Sequence, residues 1–189
     1  MTSIGIHEAT GKGQVMAATF GDGDRSLLVL GGARSGKSRH AQAIAEARGS
    51  DLVFVATAQA FDDEMRDRVA RHQADRDARW RTVEAPMDLA QAIDACAGGV
   101  VLVDCLTLWA SNLMLAEADW EAALSELIDA VGRFPGKLVL VSNEVGLGIV
   151  PDNAMARRFR DIAGMINQRV AAAVGRVHFL AAGLPLALK

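Results

Sequence analysis

Residues 27–38 have the sequence LLVLGGARSGKS, and this stretch decides the fold. Its first four residues form a short apolar run of the kind that a buried parallel strand has. The next eight match the pattern G-x-x-x-x-G-K-[S/T], in which glycines let the backbone fold around a phosphate. Successive N–H groups then point at the phosphate, and a helix N-terminus adds positive partial charge. We therefore expect a strand, a phosphate-binding loop and a helix, in this order.

Two side chains of the loop have expected roles in catalysis of phosphoryl transfer. Lys37 is expected to reach the β- and γ-phosphates, and the Ser38 hydroxyl to be a ligand of Mg²⁺. A second metal ligand is expected at the end of a neighbouring apolar strand, and Asp104 directly follows the run of residues 100–103. The residues expected to bind the nucleotide in the loop are Gly31, Gly32, Ala33, Arg34, Ser35, Gly36, Lys37 and Ser38.

The rest of the chain alternates between apolar runs and stretches of good helix formers. Strands are predicted at residues 27–30, 52–56, 100–103, 138–141 and 177–180. Helices are predicted at residues 38–48, 62–78, 88–96, 119–131 and 153–174. This alternation predicts an α/β fold with a mostly parallel sheet flanked by helices.

Length and composition indicate one domain. The chain has 189 residues, of which 51% are hydrophobic, enough for a real core. We expect residues 1–24, which lack periodicity, to be a loose extension, and residues 25–189 to be a single catalytic domain. The two cysteines, Cys96 and Cys105, lack redox or zinc spacing and are expected to be buried in a reducing compartment.

The charge and the apolar pattern exclude several partners. The net charge of −3 gives no global attraction for nucleic acid. No apolar run approaches the roughly 18 residues that a membrane span needs, and the N-terminus lacks the pattern of a signal peptide. We therefore expect a cytoplasmic protein that neither binds nucleic acid nor inserts into a membrane.

His72 has two interpretations from the residues alone. It lies in a strongly charged stretch, which is typical of a solvated helix face. A neutral imidazole is also a possible nucleophile toward an α-phosphorus, and the neighbouring arginines would offset phosphate charge. The segment Thr57-Ala58-Gln59 directly follows a predicted strand, at the end where open α/β sheets hold their ligands.

The chain resembles the bifunctional adenosylcobinamide kinase / adenosylcobinamide-phosphate guanylyltransferase family of cobalamin biosynthesis. The resemblance covers about residues 26–185 and is specific, because generic P-loop kinases have no reason to share its later blocks. The similar blocks are residues 31–41, 56–59, 62–65, 71–72, 80–84, 142–151 and 158–168.

The resemblance implies a RecA-like P-loop NTPase fold and a homotrimer. It also implies that His72 carries GMP covalently and that Lys37 and His72 are the catalytic residues. Further nucleotide contacts implied by the resemblance are Thr57, Ala58, Gln59, Gln73, Ala74, Asp75, Arg76, Glu84 and Asp104. The family pattern allows either carboxylate at Asp104, and it has no counterpart of the first 24 or so residues.

The implied function has two steps. ATP or GTP phosphorylates adenosylcobinamide, and GMP from GTP is then transferred through His72 to adenosylcobinamide phosphate, giving adenosylcobinamide-GDP. The expected partners are therefore Mg²⁺, ATP, GTP and a corrinoid. The alternatives are a P-loop small-molecule kinase without guanylyl transfer, for which His72 is dispensable, and a nucleotide-dependent switch or assembly ATPase.

Overall fold

The computed structural model of the chain describes residues 20–21, 23–59 and 76–189. The strands in these ranges are β1 (Ser26–Gly31), β2 (Leu52–Ala56), β3 (Trp80–Glu84), β4 (Val100–Asp104), β5 (Lys137–Asn143), β6 (Arg176–Ala181) and β7 (Leu184–Ala187). They form one sheet with the order β3-β2-β4-β5-β1-β6-β7. All neighbouring pairs are parallel except β6–β7. The predicted, mostly parallel sheet is confirmed.

The helices of the described ranges cover both faces of this sheet. They are α1 (Lys37–Glu46), α2 (Leu89–Asp94), α3 (Leu106–Leu115), α4 (Trp120–Arg133) and α5 (Ala154–Ala173). The Asp119 carboxylate caps α4 by accepting from Ala122 N at 3.0 Å, and Asn153 caps α5 by accepting from Ala156 N at 2.8 Å. None of these helices has the length and apolar character needed to cross a bilayer.

Alternate residues of β1 contribute to two hydrophobic cores. Leu28 and Leu30 pack in the cluster on the face covered by α2, α3, α4 and α5. Leu27 and Val29 pack in the second cluster, on the face covered by α1. Because both faces are buried, the strand is apolar throughout and does not alternate in polarity.

The register brings the candidate residues to one edge of the sheet. Ala56 pairs with Glu84 on one side and with Asp104 on the other. Gly31 pairs with Asn143 at the end of β5, the strand that separates β1 from β4. The phosphate loop and Asp104 therefore share the carboxyl edge, one strand apart, where open α/β sheets hold their ligands.

Most predicted elements are confirmed, with small shifts of their ends. The predicted helix at residues 62–78 falls largely on residues 62–75, which lie outside the described residues, and its last three residues, from Arg76 to Ala78, form a bend and a turn rather than a helix. The structure adds α3, β3 and β7, which the sequence analysis did not predict. Helix α3 is buried on several sides and therefore lacks the polar face on which a helical period depends.

The residues just before β1 pack against the domain. Phe20 is buried in the second core cluster, with the cationic groups of Arg48 and Lys137 each 5.6 Å from its ring centroid. Asp24 forms an ion pair with Arg176 at 2.9 Å. Phe20 and Asp24 therefore contact the domain, and the domain boundary at residue 25 stays a prediction.

Candidate functional site

The phosphate loop connects β1 to α1 through a sharply turned backbone. Arg34 has φ 56° and Gly36 has φ 91°, so both adopt the left-handed conformation, which glycine adopts without steric cost. Gly36 is also the N-cap of α1. A loop that turns in this way at a helix N-terminus is concave and presents N–H groups to an anion.

The start of the loop is held against the neighbouring strand by contacts that leave no space for a side chain at position 31. Gly183 N donates to Ser35 O at 2.9 Å. A Cβ at Gly31 would lie 2.5 Å from Ser35 Oγ and 2.8 Å from the backbone oxygen of Leu180. The buried Ser35 Oγ finds no hydrogen-bond partner among the residues that the structure describes. The close packing explains why glycine is needed at position 31.

The two catalytic candidates of the loop lie where α1 begins. Lys37 Nζ donates to Gly32 O at 3.1 Å, so the ammonium group lies over the loop itself. Ser38 is half-buried in the first turn of α1. The structure therefore places a cation and a hydroxyl beside the backbone that is shaped for phosphate.

Asp104 ends β4 and is half-buried. The backbone of the next residue, Cys105, is fixed by the Thr57 hydroxyl. This hydroxyl donates to Cys105 O at 2.7 Å and accepts from Cys105 N at 2.8 Å. Burial, and then the charge of Asp104, raises the pKa of the Cys105 thiol to about 11. Cys105 and Cys96 are both buried and free, as predicted, and the Cys105 thiol stays protonated at neutral pH.

Arg76 packs against β2, the strand next to the one that ends at Asp104. Its guanidinium carbon lies 3.6 Å from the centroid of the Phe54 ring on β2, which is a cation–π contact. Burial lowers the pKa of Arg76, while the negative charge of Asp104 opposes this shift. The structure thus brings together Arg76 and Asp104, which are far apart in the chain.

The remaining predicted residues differ in accessibility. The Thr57 side chain is fully buried, and its hydroxyl already bonds to the Cys105 backbone. Ala58 and Gln59 are half-buried, and Glu84 is exposed at the end of β3. The predicted residues His72, Gln73, Ala74 and Asp75 lie outside the described residues.

The structure adds polar residues that the reasoning from composition and spacing did not assign. Asn112 Nδ2 donates to Thr57 O at 2.8 Å, and Thr107 Oγ1 accepts from Asn143 N at 2.6 Å. Asn167 Nδ2 donates to Asn143 O at 3.1 Å. These bonds fix the backbone along the carboxyl edge. Polar residues directly after the predicted strand at residues 138–141 are the sequence signal that would have found Asn143.

A parallel sheet with a phosphate loop after β1 and an acidic residue after β4 defines a P-loop NTPase of the RecA-like type. A solved structure, an ATPase from the type III secretion system of pathogenic bacteria, has the same fold with a TM-score of 0.52 at 14% identity. The match covers 86% of this chain and 56% of that one. Because the sequence identity is low, the likeness shows the fold alone.

The family is shown by sequence comparison. The family described as cobinamide kinase / cobinamide phosphate guanyltransferase matches residues 27–188, and the chain belongs to it. The bifunctional adenosylcobalamin biosynthesis protein CobP of Pseudomonas aeruginosa is 48% identical over 86% of this chain and 96% of its own length. The corresponding CobU protein of Salmonella typhimurium is 43% identical over 86% of this chain and 99% of its own length. The predicted family is confirmed, and the chain is an enzyme of a family whose named activities are a kinase and a nucleotidyltransferase.

Proposed function

We propose that this chain phosphorylates adenosylcobinamide with ATP or GTP and then transfers GMP from GTP to adenosylcobinamide phosphate through a guanylyl-histidine at His72. The observation that carries the proposal is the phosphate loop, which shares one sheet edge with Asp104 in a chain of the cobinamide kinase family. The product of the second step is adenosylcobinamide-GDP.

In the kinase step the chain mainly binds and orients the nucleotide. Loop N–H groups and Lys37 hold the β- and γ-phosphates, and the alcohol of the corrinoid attacks the γ-phosphorus. The bond between the γ-phosphorus and its bridging oxygen breaks, the nucleoside diphosphate leaves, and the alcohol proton passes to solvent. Lys37 stabilises the negative charge that spreads over the transferred group.

The ligand chemistry fits magnesium. The Ser38 hydroxyl and the Asp104 carboxylate are hard oxygen donors of the kind that Mg²⁺ prefers, and both belong to the edge that holds the phosphate loop. Held there, Mg²⁺ would offset the negative charge of the phosphates during transfer.

In the guanylyl step an imidazole nitrogen of His72 attacks the α-phosphorus of GTP. An N–P bond forms, the bond between the α-phosphorus and the bridging oxygen breaks, and pyrophosphate leaves. A phosphate oxygen of the corrinoid phosphate then attacks the same phosphorus, an O–P bond forms, and the N–P bond breaks, so that the free imidazole of His72 leaves. His72 is four residues before Arg76 in the chain, and the charge of Arg76 interacts with that of Asp104, which supports a role of His72 at this site.

Several nucleotide contacts complete the proposal. Ala58, Gln59, Glu84 and the segment of residues 73–76 bind the guanine nucleotide, as the family resemblance implies. Because the Thr57 side chain is buried, Thr57 acts through its backbone or through the hydrogen bonds of its hydroxyl to the Cys105 backbone. The protein works in the cytoplasm and binds no nucleic acid, in agreement with its net charge of −3.

The same proposal includes a homotrimer. The loop before α5 exposes large apolar side chains: Leu147 is 80% exposed, Ile149 98% and Val150 63%. Exposed apolar residues in one continuous segment are typical of an interface between subunits. Light scattering would give the mass of three chains for the wild type and a smaller mass for Ile149→Asp.

The test of the guanylyl step is labelling with GTP that is radioactive at the α-phosphorus. Wild-type chain should retain an acid-labile, base-stable label, which cobinamide phosphate removes, and His72→Ala should retain none. His7→Ala is the matched control and should label normally. A wild-type chain that phosphorylates cobinamide but takes no label would leave the kinase-only alternative.

A further inference from the structure

A groove of about 720 Å³ lies between α5 and the carboxyl ends of β1 and β5. We call it the α5 groove and define it by Glu144, Arg160, Asp161, Met165, Asn167 and Gln168, which line it. It also reaches Leu30 of β1. An apolar base with a few convergent polar groups is typical of a small-molecule site.

The α5 groove and the phosphate loop share backbone. Leu30 directly precedes Gly31, the first residue of the loop, and Glu144 N donates to Gly31 O at 3.1 Å. A ligand in the groove therefore lies beside the strand end that carries the phosphate loop. This position suits the molecule that accepts the phosphoryl group, because the acceptor and the nucleotide must meet at the γ-phosphorus.

Asn167 lines the groove and carries a buried hydrogen-bond acceptor that no described residue uses. The side chain is 5% exposed, and its Nδ2 donates to Asn143 O at 3.1 Å, which fixes the orientation of the amide. Its Oδ1 is buried and has no partner among the residues that the structure describes. A buried acceptor without a partner is costly, so a ligand with an N–H donor would satisfy it. Gln168, which is exposed, adds a further donor and acceptor at the groove.

The charged side chains of the groove disfavour an anionic ligand such as a phosphate. Glu144 and Asp161 contribute two carboxylates, whereas Arg160 contributes one cation. The Arg160 guanidinium donates to Gly146 O at 2.7 Å, and Glu144 Oε1 accepts from Gly146 N at 2.6 Å, so both groups also hold the loop after β5. A lining with an excess of negative charge repels an anion and accepts a neutral or cationic ligand that is rich in amides.

We propose that the α5 groove binds the corrinoid acceptor through the primary amides on the edge of its macrocycle, with the aminopropanol alcohol directed at the phosphate loop. This inference rests on the proposed function, since it names the site of the acceptor in that reaction. The groove takes the amide-bearing edge that flanks the alcohol arm, and the rest of the macrocycle extends out of the open side. Asn167 Oδ1 accepts from one of these amides.

Gly164 provides the test. It lines the groove, and a Cβ added there meets no atom within 4 Å, so we expect the larger side chain of Gly164→Leu to occupy part of the groove. Leucine also favours the helix more than glycine does. The matched control is Gly132→Leu on α4, where an added Cβ also meets nothing within 4 Å.

The readouts separate the groove from the nucleotide chemistry. Equilibrium dialysis against cobinamide measures corrinoid binding without turnover, and GTP binding is measured in the absence of corrinoid. We expect Gly164→Leu to weaken cobinamide binding by about tenfold or more while GTP binding stays within about twofold, and Gly132→Leu to change neither. Unchanged cobinamide binding in Gly164→Leu would overturn the assignment.

A failure of the proposed function gives a different result. If the wild type binds cobinamide but transfers neither group, and Gly164→Leu abolishes the binding, the groove stands and the reaction is wrong. If the wild type binds GTP but no cobinamide, the groove assignment is overturned. A corrinoid whose side-chain amides are hydrolysed to carboxylates should bind about tenfold more weakly. The side chains of the groove carry net negative charge, and the carboxylates have no N–H group to donate. Equal affinity for the two corrinoids would contradict amide recognition.

Discussion

The phosphate loop and the α5 groove meet at Leu30 and Gly31, yet they are built in different ways. The loop uses consecutive residues, and its chemistry comes from backbone N–H groups and one lysine. The groove uses side chains of α5 and of the loop after β5, which are about twenty residues apart in the chain. A site made of backbone has a local sequence pattern, whereas a site made of side chains from two elements exists only once the sheet has formed.

The largest expected effect is at Gly31. A methyl group there collides with Ser35 Oγ and with the backbone oxygen of Leu180, and rotation of a side chain cannot relieve the backbone collision. We expect Gly31→Ala to lower the free energy of unfolding by about 3 kcal/mol and to weaken nucleotide binding at least tenfold. Urea unfolding and binding of a fluorescent GTP analogue measure the two effects.

Gly32→Ala is the matched control for stability. An added Cβ at Gly32 meets nothing within 4 Å, so the free energy of unfolding should stay within about 0.5 kcal/mol of the wild type. If both alanine variants lose the same stability, the close packing of the loop against β6 does not explain the need for glycine at position 31.

The next largest effect is expected at Thr57, which fixes the backbone beside Asp104, the metal ligand that we propose. Thr57→Val keeps the shape but leaves the N–H and C=O of Cys105 without this partner. We expect a loss of about 2 kcal/mol in the free energy of unfolding, because buried polar groups without partners are costly. Nucleotide binding should weaken more than corrinoid binding, since Asp104 is adjacent to the displaced backbone.

Thr82→Val on β3 makes the same chemical change at an exposed position, and its stability should stay within about 0.5 kcal/mol. A similar loss in both variants would show that the effect comes from β-propensity or hydration rather than from the Cys105 contacts. Thermal or urea unfolding of the two variants decides between these causes.

Gly31 and Thr57 also show which parts of the structure can be predicted from the sequence. The loop, five of the strands and four of the helices follow from local patterns, because each has its own periodicity or motif. Thr57 was predicted at the right edge of the sheet, but its contact with Cys105 spans 48 residues of chain and depends on the pairing of β2 with β4. The α5 groove likewise depends on the packing of α5 against β1 and β5, and its residues appeared in the sequence analysis only as blocks of a family resemblance.

A smaller effect, confined to the groove, is expected from Arg160→Met. Methionine keeps the apolar stem but removes the bond to Gly146 O, which holds the loop after β5. We expect the KM for cobinamide to rise several-fold and the free energy of unfolding to fall by about 1.5 kcal/mol. Arg158→Met, on an exposed position of α5, is the control and should change neither. A rise in the KM for GTP alone would show that Arg160 acts on the phosphate loop and not on the α5 groove.

The smallest effect is a pH dependence of the free energy of unfolding, which we expect from a pair of histidines that joins α1 to β6. His40 Nε2 lies 3.1 Å from His178 Nδ1, so one ring donates to the other while both are neutral. Burial lowers the pKa of both imidazoles. Burial first, then the charges of His40 and Arg176 against the opposing charge of Asp24, lowers the pKa of His178 from an ordinary 6.5 to about 4. Between these two values the unfolded chain binds more protons than the folded one, so acidification favours unfolding.

We expect about 1 kcal/mol of stability to be lost through this pair between pH 7 and pH 5.5, with no further loss from His178 once the pH is below its folded pKa. Urea unfolding at several pH values measures the slope, and His178→Gln should flatten it while His7→Gln should not. Since the pair joins α1 to β6 behind the phosphate loop, GTP binding should weaken over the same pH range and corrinoid binding should not. An equal pH dependence of the two ligands would show that the loop and the groove respond as one unit, which would contradict the difference between them.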